Sequence, residues 1–148
     1  MIKKDGGTIS QSWHRLAEGS AEWRALEALG HEFGLTLRPQ RIEFAGGGRT
    51  EVEGADAAGT VIVQLVVNSG AFKSAFRNKV NADMFKLVWL RAVAFPGSRC
   101  VLCISPAIAQ AFTPNGWVAA AARDLDIEVY VLGEDGTLAR IAGAAVKA

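Results

Sequence analysis

The sequence predicts a three-layer α/β domain in which helices cover a central mixed sheet of four to five strands. Three observations lead there. The run Thr60-Val61-Ile62-Val63-Gln64-Leu65-Val66-Val67 is β-branched and almost continuously apolar, the pattern of a central strand covered on both faces. Phe76, Val80, Met84, Leu87, Val88 and Phe95 then recur at helical spacing until Pro96-Gly97 stops them. Two further apolar strands, Cys100 to Ile104 and Ile127 to Leu132, flank another helix, so crossover connections are implied.

The remaining elements follow in order. Ser20 caps a helix whose Leu26, Leu29 and Phe33 form an apolar stripe and whose stop is Gly34. Leu35 to Phe44 is rich in strand formers, Gly46-Gly47-Gly48 makes a turn, and Thr50 to Glu53 begins a second strand, which together suggest a hairpin. Thr113-Pro114 reads as a helix start with proline in the first turn, and Glu134-Asp135-Gly136 as a turn into Thr137 to Ile141. Residues 1 to 12 and 143 to 148 are expected to be frayed ends of a single domain whose core spans about 20 to 132.

Composition excludes several classes. The 148 residues carry 16 basic and 15 acidic side chains and half are hydrophobic, which fits neither a disordered chain nor a polycation. The longest apolar stretches are interrupted by Gln64 and Arg91 and fall short of the roughly 18 residues of a membrane span. No apolar segment follows Lys3 and Lys4, so a cytoplasmic location is expected. Cys100 and Cys103 lie three apart in a strand, pointing to opposite faces as reduced core thiols. His14 and His31 lack metal-ligand spacing, and the triple glycine precedes a strand, which is the wrong context for a phosphate loop.

The informative stretch is Glu51-Val52-Glu53-Gly54-Ala55-Asp56, then Val63-Gln64-Leu65-Val66, then Gly70-Ala71-Phe72-Lys73, then Lys79-Val80-x-x-Asp83-x-x-Lys86-Leu87. An acid at one strand end, a glutamine in the next strand and lysines on the following helix resemble the PD-(D/E)XK, or restriction-endonuclease-like, nuclease superfamily. The likeness extends over about residues 20 to 132 in element order and over 51 to 90 in motif. It implies a restriction-endonuclease-like fold and hydrolysis of phosphodiester bonds in DNA with Mg²⁺ or Mn²⁺. That chemistry wants a hard cation held by carboxylate or amide oxygens and a second positive group beside the phosphate.

Carried over by position, Glu53 takes the place of the first acid, with Asp56 as its substitute, and Gln64 takes the place of the second ligand. The residue two after Gln64 should be lysine and is Val66. Lys73 or Lys79 is then expected to reach back and supply the ammonium. Glu22, in line with Leu26, Leu29 and Phe33 on the first helix, is a further candidate ligand, because superfamily members sometimes use a glutamate there. Three substitutions in one short signature mark the alternative, an inactive nuclease-fold module that binds nucleic acid or a protein partner.

Each residue also has a bland reading: Gln64 a paired core amide, Glu53 and Asp56 turn acids, Glu22 a first-turn acid. Lys79, Asp83 and Lys86 would then form an exposed ion-pair ladder. The long helix carries a second apolar face, Phe85, Trp89, Ala92 and Val93, so a homodimer through Phe85 and Trp89 is expected. Charge is unevenly spread: 7 basic against 9 acidic residues in 1–69, 6 against 1 in 70–99, and 3 against 5 in 100–148. Lys73, Arg77, Lys79 and Lys86 are the expected contacts to a phosphate backbone.

Overall fold

The strand Val61–Val66, β4 in chain order, is buried at every position, as its unbroken apolar pattern requires. Ile62 and Val66 belong to one core, and Val61, Val63 and Leu65 to another on the opposite face. A computed structural model describes residues 7–9, 16–68 and 70–142. Around β4 it sets β1 (Gly7–Ile9), β2 (Arg38–Phe44), β3 (Arg49–Ala55), β5 (Arg99–Ile104), β6 (Ile127–Leu132) and β7 (Leu138–Ala142). Strand order is β1-β2-β3-β4-β5-β6-β7. The first four strands form an antiparallel meander, β4, β5 and β6 run parallel, and β7 returns antiparallel.

Among the described residues three α-helices complete the layers: α1 (Ala21–Phe33), α2 (Ser74–Val93) and α3 (Trp117–Asp124). Ala25, Leu26 and Leu29 of α1 pack on Val61, Val63 and Leu65. Val80, Met84 and Leu87 of α2 and Val118 and Ala122 of α3 fill the core on the other face. Two successive right-handed crossovers that step the same way across a sheet put both helices on one side. The α1 caps are those the sequence predicts: Ser20 Oγ accepts from Trp23 N at 3.1 Å, and Gly34 takes the left-handed conformation at φ 69°. Cys100 and Cys103 are buried free thiols in opposite cores, and burial pushes them up to about 11 and about 12.

Three expectations are corrected. Among the described residues the sheet has seven strands, not four to five: Gly7–Ile9, expected to fray, pairs with Ile42 to Phe44 along one edge, and Leu138–Ala142 pairs with β6 at the other. The other terminal residues expected to fray, 1–6, 10–12 and 143–148, lie outside the described residues. Pro114 does not open a helix. It stands in a turn closed by Gly116 N to Thr113 O at 2.9 Å, and α3 starts at Trp117. Proline suits the second position of such a turn as well as a first helical turn, and a Cβ at Gly116 would meet Thr113 Oγ1 at 2.6 Å. A 3-10 helix, Pro106–Phe112, also buries Ile108, Ala111 and Phe112 where no element was foreseen.

At the amino ends of the parallel strands, Glu128 ties the sheet together. Arg99 Nε and Nη2 donate to its two oxygens at 2.9 and 2.7 Å, Tyr130 OH donates at 3.2 Å, and Arg140 Nη2 lies 3.5 Å away. The Arg99 guanidinium also stacks on Phe33 at 4.3 Å, joining the end of α1 to β5 and β6. Burial works to raise the Glu128 pKa, but the Arg99 hydrogen bonds and charge outweigh it and hold the carboxyl below its ordinary 4.5. Stability from this group is therefore present above about pH 4.5 and is lost as pH falls through the depressed value. Urea melts of Glu128→Gln against the wild type should show the acid-side loss of stability flattened in the variant, together with lower stability at neutral pH.

Candidate functional site

The site begins with an irregularity in β3. Arg38 pairs with Ala55 and Gln40 with Val52, so two steps along β2 oppose three along β3, and β3 carries one extra residue. Val52 and Ala55 pack in the core under α2. A Cβ on Gly54 would instead lie 2.5 Å from Leu26 Cδ2 of α1. The bulge thus breaks the alternation and turns Glu53 toward α2. Pro39 lies opposite the bulge, an irregular position at which a missing backbone donor is tolerated.

Strands β3 and β4 pair only at Gly54 with Val63 and Ala55 with Ile62. Toward the carboxyl end of β4 they part, and side chains bridge the gap. Glu53 N donates to Gln64 Oε1 at 3.0 Å, and Leu65 N donates to Glu53 Oε1 at 2.8 Å. Gln64 Nε2 donates to Asp83 Oδ1 at 3.0 Å. An ionised carboxylate only accepts, so Asp83 fixes which end of the Gln64 amide faces Glu53.

Lys79 of α2 closes the cluster. Its Nζ donates to Asp83 Oδ2 at 2.6 Å and to Leu65 O at 3.1 Å, and lies 3.6 Å from Glu53 Oε1. Burial raises the Glu53 pKa above 4.5, against the Leu65 N–H and the Lys79 charge, which favour the carboxylate. Burial would lower Lys79, but the Asp83 hydrogen bond and the Glu53 charge outweigh it, and its pKa rises above 10.5. Lys79 is therefore an ammonium at neutral pH, suited to holding charge and not to removing protons.

The structure thus brings Glu53, Gln64 and Lys79 together and leaves the other candidates apart. Asp56 closes the β3–β4 hairpin: Thr60 Oγ1 donates to its Oδ2 at 2.5 Å and Val61 N to its Oδ1 at 2.9 Å. Lys73 is the exposed N-cap residue of α2 and makes no side-chain capping bond. The Arg77 guanidinium lies over the Phe72 ring at 5.1 Å, and Lys86 donates to the Glu51 carbonyl. Glu22 is half-buried in the first turn of α1. Arg91 and Arg99, part of the basic segment, serve elsewhere: Arg91 holds the Leu125 and Asp126 carbonyls, and Arg99 holds Glu128. Asp83 is not the exposed rung of a ladder but 7% exposed and central to the site. Its position between Val80 and Leu87, on the buried stripe of α2, was the signal that could have found it.

Among the described residues, no group of three or more His, Cys, Asp or Glu side chains could hold a metal ion. Any ion at the fork must therefore also use amide or backbone oxygens. In comparisons with protein-family models, curated proteins and solved structures, nothing matches this chain, so its function must be read from the site.

The raised Glu53 pKa has a stability consequence. The fold favours the protonated carboxyl, so stability is fullest below about pH 4.5 and declines as pH climbs through the raised value. Glu53→Gln keeps an acceptor for Leu65 N–H and removes the charge. In urea melts across pH, its stability relative to wild type should rise with pH above about 4.5.

Proposed function

We propose that this chain is a metal-dependent phosphodiesterase acting on DNA, with a restriction-endonuclease-like fold. The order α1, meander β2-β3-β4, α2, parallel β5 supports the fold reading. The observation that carries the activity is Lys79. From α2 it brings an ammonium to Leu65 O and Glu53, beside Val66, where the resemblance expects a lysine and finds none.

Mg²⁺ or Mn²⁺ would have to be taken by one carboxylate together with amide and backbone oxygens, since no group of three or more His, Cys, Asp or Glu is present among the described residues. The Glu53 carboxylate, the Gln64 amide oxygen and the Leu65 carbonyl are hard oxygens on adjacent strands, and the Lys79 ammonium lies against the first and the last of them. A divalent ion held there would activate a water and neutralise charge on the phosphate. Glu53 and Gln64 would hold that ion. Lys79, an ammonium at neutral pH, would steady the developing negative charge. Lys73 and Arg77, exposed at the start of α2, are the groups to dock the phosphate backbone.

One observation favours a second reading, a non-catalytic nucleic-acid-binding or protein-binding module: both ends of the Gln64 amide are already taken within the protein. Supercoiled plasmid incubated with the protein and Mg²⁺, Mn²⁺ or EDTA separates the two. Metal-dependent nicking should fall at least about 100-fold in Glu53→Ala, Gln64→Ala and Lys79→Ala. Asp56→Ala, remote from the fork, should keep activity while losing about 1–3 kcal/mol of stability from its severed turn. Binding without cleavage supports the second reading, and cleavage surviving Glu53→Ala removes this site.

The expected homodimer through α2 forms part of the proposal. Phe85 is 77% exposed, Val93 is exposed beside it, and Trp89 is partly covered by Phe44, its ring 5.2 Å away. Nucleases of this architecture that cut both strands commonly work in pairs. Sedimentation equilibrium should give a dimer for the wild type and a monomer for Phe85→Glu; a monomeric wild type removes this part.

A further inference from the structure

At the carboxyl ends of β4, β5 and β6, on the side of α1, lies a cavity of about 350 Å³. Its apolar wall includes Val67 and Leu132, members of the core that α1 covers. Four polar side chains complete the lining: Arg24 of α1, Asn68 after β4, Ser105 after β5 and Glu134 in the β6–β7 turn. Apolar walls with a few polar groups are the usual form of a small-molecule site.

Hydrogen bonds fix the frame of this cavity. Ser105 N donates to Val66 O at 3.1 Å and Ser105 Oγ to Asn68 O at 2.8 Å, so the ends of β4 and β5 are clamped together. In the β6–β7 turn, Gly133 N donates to Thr137 O at 2.8 Å, and Thr137 Oγ1 and N donate to the Asp135 carboxylate at 2.7 and 3.1 Å. The side chains of Arg24, Asn68 and Glu134, by contrast, have no partner among the described residues. The cavity thus offers one cation, one anion, an amide that both donates and accepts, and a hydroxyl whose proton is already donated.

The two charges sum to zero, which selects among ligands. A phosphate ester, at about −1.5 to −2 charge, would be drawn by Arg24 and repelled by Glu134. A metal cation would meet the reverse. A molecule with both a carboxylate and an ammonium satisfies each group. We propose that this cavity binds a small zwitterion of the free amino acid class, its carboxylate on Arg24, its ammonium on Glu134 and an apolar side chain against Val67 and Leu132. The site uses no group of the Glu53, Gln64 and Lys79 cluster and is independent of the nuclease reading.

Calorimetric titration of L-leucine, L-methionine and L-phenylalanine into the wild type, each to about 10 mM, tests it. At least one should bind at a single site. Its amide, which lacks the carboxylate, and its N-acetyl form, which lacks the ammonium, should each bind at least about tenfold more weakly. The same loss is expected for the free amino acid with Arg24→Gln and with Glu134→Gln, whose positions are exposed and outside the core. No binding of any of the three, undiminished binding of either derivative, or undiminished binding by either variant overturns the proposal. A second measurement needs only the wild type: in ¹⁵N-resolved NMR, the Asn68 side-chain amide and Arg24 Nε signals should shift in step with occupancy. Unmoved signals at saturation overturn it even if a variant fails to fold. Plasmid nicking, or its absence, bears on the nuclease reading alone.

Discussion

Strands β3 and β4 exchange backbone hydrogen bonds only beside their hairpin, and the rest of the site depends on that early parting. Past Gly54 and Val63 the backbone groups of two neighbouring strands still need partners, since buried polar groups left alone cost free energy. Glu53 and Gln64 supply them with their side chains. The two residues are held by the job of completing a sheet, so a polar pair persists at the edge of an apolar core. The bulge at Glu53-Gly54 makes this possible, because without the extra residue the carboxylate would point to the face of α1.

A carboxylate in such a place calls for a counter-charge, and the chain draws it from α2. Lys79 and Asp83 are one helical turn apart and face the same gap, so Asp83 orients Gln64 and Lys79 together. The cluster is a closed circuit in which strand, strand and helix each contribute a group. Its members have perturbed protonation for opposite reasons: burial disfavours charge on Glu53, whereas anionic neighbours favour charge on Lys79. The Glu128 clamp, at the other end of the parallel strands, shows the contrast: there two arginines meet one carboxylate and the carboxyl is stabilised in its charged form.

Much of the fold was legible because its pattern is local. The buried run of β4, the Ser20 and Gly34 caps of α1, and the stop of α2 before Pro96 are read within a few residues of chain. What failed needed the partner in view. Gly7–Ile9 has no strong strand pattern and is a strand only because β2 offers it an edge. Thr113-Pro114 carries a signal that turns and helix starts share. At the site, Glu53, Gln64 and Lys79 were legible by residue type and spacing, while Asp56 was indistinguishable from Glu53 until its hydrogen bonds to Thr60 and Val61 were seen. Asp83 was hidden because an acid four residues from a lysine on a helix is most often a solvated pair, and only the depth of α2 against β4 makes it otherwise.

The monotonic strand order has a consequence for how anything reaches this protein. Open α/β sheets usually receive ligands where the strand order reverses and neighbouring crossovers leave on opposite faces. Here β4, β5 and β6 advance one way with both crossover helices on one side, so the parallel half has no reversal point. The breach in the sheet lies instead at the junction of its antiparallel and parallel halves, between β3 and β4. That gap faces α2, whose Lys79 reaches across to Leu65 O and Glu53.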